Sequence, residues 1–150
     1  MSLDVALSSI DDSELIQLTR ELIQMDSINP PGHEEAAADL LARRARAWGI
    51  DAEIQAVEPW RPNVIVRLKG RGEAPTLLYL GHLDTVPPGE VPWTYPPLSG
   101  ELADGKIWGR GAADMKSGLA AMLVAMAALK RANVSLPGDL ALVEIGRAHV

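Results

Sequence analysis

The sequence predicts an α/β sandwich, a mixed sheet flanked by helices, on three observations. Apolar residues recur with a helical period near the N-terminus, the period drops to two after Gly49, and a long apolar segment then leads into one more short strand. Helices, then strands, then a helix and a strand give one layered domain with no internal repeat or linker dividing it.

Taken in order, Leu15, Leu18, Leu22 and Met25 mark one face of a helix over 11–25, with Asp11 or Asp12 as its N-cap. Asn29-Pro30-Pro31-Gly32 ends that run in a turn, because consecutive prolines lack donors and restrict the residues before them. A second helix is expected over 34–48. Glu34 and Glu35 stand in its first turn, Arg43, Arg44 and Arg46 toward its end, and Gly49 stops it. These arginines, together with Arg61, read as a solvated helix face.

Residues 51–57 and 63–68 alternate as strands, and 70–75 make a turn. Residues 76–80, apolar on both sides, predict a central strand covered on both faces. The proline-rich stretch 86–97 is an irregular loop of the length that often carries function. Residues 98–108 form a hairpin turning at Asp104-Gly105, 115–131 an apolar helix, and 139–143 the last strand.

Composition narrows the function. The chain has 150 residues, 47% of them hydrophobic and 23% charged, as in globular domains. No apolar run is expected to span a bilayer, and the N-terminus lacks the basic and apolar regions of a secretory signal, so the cytoplasm is the expected compartment. A net charge of -6 argues against nucleic acid and anionic membranes as partners, since both require a basic patch. With no cysteine, any metal must be held by His, Asp or Glu.

The chemistry concentrates at two places. In Y-L-G-H-L-D-T-V, His82 and Asp84 fall two apart where a strand gives out, so both can project to one side if the extended backbone persists through Leu83. A metal ligand with its orienting carboxylate, a proton relay and an ordinary polar strand end all fit that pattern. Asp114 lies after the glycines of G-R-G-A-A-D-M-K-S-G, at the start of the apolar helix, where a simple helix cap is the alternative. Two phosphate-loop patterns fail there. Met115 stands where the Walker pattern needs glycine, and Asp114 stands where the dinucleotide pattern needs its third. A carboxylate at that position repels phosphate and attracts a cation.

The stretches G-H-L-D-T-V-P-P-G and W-T-Y-P-P-L-S-G-E-L-A-D-G-K-I-W-G-R-G-A-A-D-M-K-S-G, with S-I-N-P-P-G at 27–32, resemble the N-terminal part of the M20 family of zinc metallopeptidases and amidohydrolases. The resemblance implies a truncated zinc-exopeptidase-like catalytic domain. In it His82 is a metal ligand, Asp84 the catalytic residue that orients His82, and Asp114 the ligand bridging two zincs, with cobalt or manganese as substitutes. It also implies a cis peptide between Asp114 and Met115. The implied reaction is hydrolysis of an amide in a small-molecule N-acyl amino acid or peptide, and a homodimer is the parent assembly open to such a chain. Lys116 and Arg110 read as loop-fixing or solvent-facing rather than as substrate binders, and His33 and His149 are not expected to be ligands.

The chain departs from the family after G-D-L-A-L-V at 138–143. The family continues with a Glu-Glu pair, the general base and a further ligand, whereas here a single Glu144 arrives early and takes neither role. The last seven residues, E-I-G-R-A-H-V, are what GAG-ATC-GGA-AGA-GCA-CAC-GTC encodes, a sequence resembling a sequencing adapter. The expected organisation is therefore 1–143 as the N-terminal part of the catalytic domain, inactive alone, and 144–150 as a non-native tail. A stand-alone metal-binding module and a nucleotide-binding α/β domain are the competing classes.

Overall fold

The structure is a computed structural model that describes residues 3–148. A short helix α1 (Leu3–Ser8), not foreseen in the sequence, precedes α2 (Asp12–Gln24) and α3 (Glu35–Ala47). Asp11 caps α2 by accepting from the Ser13 backbone N–H at 2.8 Å, which satisfies one of the donors a helix start leaves free. Strands β1 (Asp51–Glu58), β2 (Arg61–Leu68) and β3 (Leu77–His82) follow. The small hairpin of β4 (Glu101–Ala103) and β5 (Lys106–Trp108) comes next, then an irregular helical turn Ala112–Lys116, α4 (Ser117–Arg131) and β6 (Leu140–Ile145).

The main sheet has the order β1-β2-β6-β3, antiparallel across β1, β2 and β6 and parallel between β6 and β3. It is the mixed sheet the sequence predicts. The parallel pair is connected through α4, since parallel neighbours need a long crossover. Register places Val64, Val66 and Leu68 of β2 beside Glu144, Leu142 and Leu140 of β6, all on one face. Helices α3 and α4 cover that face, and α2 packs on α4. Leu22, Leu41, Leu119, Leu123, Val64 and Leu142 are wholly buried there, each contributing about 1.5–3 kcal/mol of transfer free energy.

Three expectations are corrected. The strand foreseen as central is instead the edge strand β3, with Leu78 54% and Leu80 60% exposed. Its apolar run reflects a strand suited to cover on both faces, but β6 inserts between β2 and β3 and the described residues cover one face only. The last strand runs past Val143 to Ile145, because Glu144 and Ile145 pair with Gly81 and His82. Finally, Ala112–Arg131 is long and apolar enough, by length and composition, to cross a bilayer. Here it is a core helix, with Leu119, Leu123 and Met126 fully buried.

Candidate metal centre

His82 ends β3, and the ladder continues one residue further through Leu83 N–H to the Ile145 carbonyl at 2.9 Å. The extended backbone therefore persists, and Asp84 returns to the side His82 occupies. Its Oδ1 lies 3.2 Å from His82 Nδ1, while the Asp84 backbone oxygen lies 3.0 Å from the same nitrogen. Both are acceptors only. The Nδ1 proton is thus assigned by its surroundings, and in the neutral ring Nε2 carries an unprotonated lone pair.

That lone pair faces Asp114 Oδ1 at 3.2 Å. Two acceptors at such a distance require a cation between or upon them, either a proton on Nε2 or a metal ion. One metal ion held at about 2.0–2.2 Å from imidazole nitrogen and carboxylate oxygen can span this separation. The hard-oxygen and imidazole donor set suits zinc, cobalt or manganese.

Asp114 reaches this place because the helix start is broken. Its φ and ψ of -132° and 99° are extended, and the Asp114–Met115 peptide is cis, as the resemblance implies. Before the break, Gly111 sits at φ 81°, and a Cβ there would come within 2.6 Å of Thr85 Cγ2, so only glycine lets the turn close on the 82–85 segment. Lys116 anchors the other end. It is 1% exposed and donates Nζ to the Met25 carbonyl at 2.8 Å, and burial pushes its amine down to about 8, with Asp26 opposing. Its role is the loop-fixing one foreseen.

Arg110 likewise stacks over the Trp93 ring at 5.1 Å, fastening the 86–97 loop. His33 is exposed beside Trp60, 6.3 Å between rings. His149 lies outside the described residues. Glu144 shares a face with Gly81, opposite to that of His82, and is wholly buried, so it does not join the centre. Among the described residues no group of three or more His, Asp or Glu is placed to hold one metal.

The structure also adds residues the sequence reading missed. Asp84 is fully buried, and its Oδ2 accepts from Asn29 Nδ2 at 3.1 Å, while its Oδ1 also accepts from the Ala148 backbone N–H at 2.9 Å. Asn29 in turn accepts from Arg61 Nη2 at 2.6 Å. Arg61 is therefore not part of a solvated helix face: it opens β2 and is 8% exposed. Grouping it with the α3 arginines by charge overlooked the Pro59-Trp60 turn that carries it inward. The cavity of about 290 Å³ lined by Lys69, Lys130 and Asn133 sits at the other end of the sheet, where β6 begins, and is separate from this chemistry.

Known proteins resemble this chain in sequence and in fold. The sequence profile of Peptidase family M20/M25/M40 matches residues 78–146, which contain both His82 and Asp114. Succinyl-diaminopimelate desuccinylase of Methylorubrum extorquens (strain PA1) is 39% identical over 143 residues, 91% of this chain and 36% of the relative. The chain belongs to the M20 family. The desuccinylase of Psychromonas ingrahamii is 38% identical over 136 residues, covering 89% of this chain and 34% of that one. In fold, this M20 chain resembles the M20 metallo-carboxypeptidase Sso-CP2 from Sulfolobus solfataricus, with TM-score 0.75 and 24% identity over 89% of this chain and 30% of that one. The dipeptidase Dug1p of Saccharomyces cerevisiae gives TM-score 0.78 at 20% identity, over 97% and 34%. The chain spans about a third of the length of the curated relatives it matches.

Proposed function

We propose that this chain is the N-terminal part of the catalytic domain of a cytoplasmic, metal-dependent amidohydrolase acting on N-acyl amino acids or small peptides. The facing pair of acceptors, His82 Nε2 and Asp114 Oδ1, carries the reading. The desuccinylase relatives make an N-succinyl amino acid the first substrate to test. In this reading His82 would hold one zinc and Asp114 would bridge two. Bound there, the metals supply Lewis acidity, lowering the pKa of a water and polarising the amide carbonyl. Asp84 holds the His82 ring in the tautomer whose Nε2 is unprotonated, and its burial keeps that ring from turning.

The 150-residue chain by itself is proposed to be inactive, because Glu144 faces away and Asp84, the other carboxylate beside His82 among the described residues, is taken up by the His82 ring, Asn29 and Ala148. The domain reading is part of the same proposal: 1–143 belong to the catalytic domain and 144–150 are a non-native tail. What supports the tail is Glu144 itself, whose two carboxylate oxygens are buried against Gly81 and Leu119 with no hydrogen-bond partner among the described residues. Native proteins seldom leave such groups unpaired.

The experiment is to recover the longer gene and assay the protein with zinc on N-succinyl and N-acetyl amino acids. Turnover is expected, falling at least about 100-fold in His82→Ala and in Asp114→Ala. A longer protein that hydrolyses no amide with any of zinc, cobalt or manganese overturns the reading.

A further inference from the structure

We propose that the groove between α3 and the edge strand β1 is a docking site for an extended segment of a partner protein that carries two arginines or lysines at alternate positions. The groove stands at the opposite edge of the sheet from β3, and the proposal is independent of the metal reading.

The groove encloses about 470 Å³ and has apolar walls from Ile54, Val57 and Trp60. Val57 is 64% and Trp60 60% exposed, and Trp60 is held at a φ of 67°, which a bulky side chain adopts at a cost. Its charge is all of one sign. Glu35, Asp39 and Glu58 line it, and among the described residues no lysine or arginine does. None of these three carboxylates has a side-chain hydrogen bond or ion pair among the described residues, whereas Glu14, Glu21, Glu34, Glu73 and Asp139 each lie against an arginine. An apolar trough rimmed by unpaired acids fits side chains with an apolar stem and a cationic end. The chain's own net charge of -6 disfavours a second copy as the occupant.

The backbone sets how the segment lies. Arg46 reaches the outer edge of β1 and donates Nη2 to the Ala52 carbonyl at 2.9 Å, so Ala52 turns its backbone outward. Ile54, two residues on, does the same, because alternate residues of an antiparallel strand face away from the partner strand. Arg46 closes the edge at Ala52 and the irregular register between Gln55 and Glu58 ends it, which leaves a short open edge centred on Ile54. Ile54 packs on the core beneath α3, so a strand added beside it points alternate side chains to the helix side. Helix α3 ends at Ala47 and β1 starts at Asp51, so the two run in opposite senses and the first turns of α3 lie beside the second half of β1. Side chains two apart on a strand are about 6.6–6.8 Å apart. Glu35 and Asp39, one turn apart on α3, are separated by about 6 Å along the helix. Each of two cations at alternate positions thus meets one carboxylate.

The probe is the capped hexapeptide acetyl-Thr-Arg-Val-Arg-Val-Thr-amide, titrated into the 150-residue chain by calorimetry and followed in amide spectra. Binding should shift the signals of Ile54, Val57 and Trp60 and slow hydrogen exchange at the Ile54 N–H. Glu35→Gln with Asp39→Asn should weaken binding about 10-fold, the loss of two exposed ion pairs. The peptide acetyl-Thr-Val-Arg-Arg-Val-Thr-amide, whose adjacent arginines point to opposite faces, should lose about as much. Glu90→Gln with Asp104→Asn removes the same charge from exposed positions elsewhere and should leave affinity within about 2-fold. Equal weakening by the two pairs of substitutions, or equal affinity for the two peptides, would show that net charge alone attracts the peptide and overturns the proposal. So does the absence of binding at about 1 mM peptide. In the longer protein the first peptide should still bind, and a groove already filled there by the protein's own chain overturns docking of a separate partner.

Discussion

Asp84 and Glu144 are both wholly buried carboxylates near one end of the sheet, yet they are opposites. Asp84 accepts from Asn29 and Ala148 and faces His82 Nδ1; both Glu144 oxygens are without a partner among the described residues, and burial pushes that carboxyl up to about 8. Burying a carboxylate costs several kcal/mol unless hydrogen bonds replace the lost water. One buried acid is thus part of a constructed site, and the other is a burden the fold carries. The difference shows that burial alone does not decide how a carboxylate is accommodated, whereas the donors placed around it do.

The comparison breaks most readily at Asp84. Asp84→Ala removes the acceptor of the Asn29 amide and the Ala148 N–H and takes one of the two acceptors facing His82 Nδ1, keeping the backbone oxygen. The expected loss is about 3–5 kcal/mol in urea unfolding. A loss under about 0.5 kcal/mol would show Asp84 to be no better accommodated than a surface acid.

Glu144→Leu should act in the other direction. The folded carboxyl, at about 8, lies above its ordinary 4.5, so protonation favours the fold. Its contribution is fully present below about pH 4.5 and is lost as pH rises through 8, at about 1.4 kcal/mol per unit. At pH 7 the leucine variant should therefore be more stable by about 3 kcal/mol, and the gap should close toward pH 4.5. Unfolding curves for both proteins across that range test this, and a gap that does not change with pH would mean that Glu144 reaches water or a donor in solution.

Some of this was legible in the sequence and some was not. The helical period of Leu15, Leu18 and Leu22 and the cap at Asp11 are local signals, and local structure follows them. His82 and Asp114 were singled out by residue type and motif, and the structure brings them within 3.2 Å. The misses are non-local. Strand order depends on β6 entering between β2 and β3, which no alternation within residues 76–80 can reveal. Asn29 was read only as the start of a proline turn, because its amide acquires meaning from Asp84 and Arg61, far off in the chain. Arg61 was misplaced because charge clustering says nothing of which side of a turn a residue leaves by.

The smallest expected effect concerns the two faces of the sheet. Leu142 is fully buried beneath the helices, while Leu78 and Leu80 stand on the opposite face, 54% and 60% exposed. Leu142→Ala should cost about 2–5 kcal/mol. Leu78→Lys with Leu80→Lys should change the stability of the 150-residue chain by about 0.5 kcal/mol or less, because both side chains are more than half exposed, while reducing its self-association in sedimentation. The proposal that this chain is one part of a larger domain sharpens the expectation. In the longer protein the open face would be covered by the C-terminal remainder of the catalytic domain, and the same pair of lysines should cost at least as much as Leu142→Ala. A large cost already in the short chain would instead mean that a second copy covers β3 in solution, since an apolar edge strand with free backbone groups is a ready template for pairing.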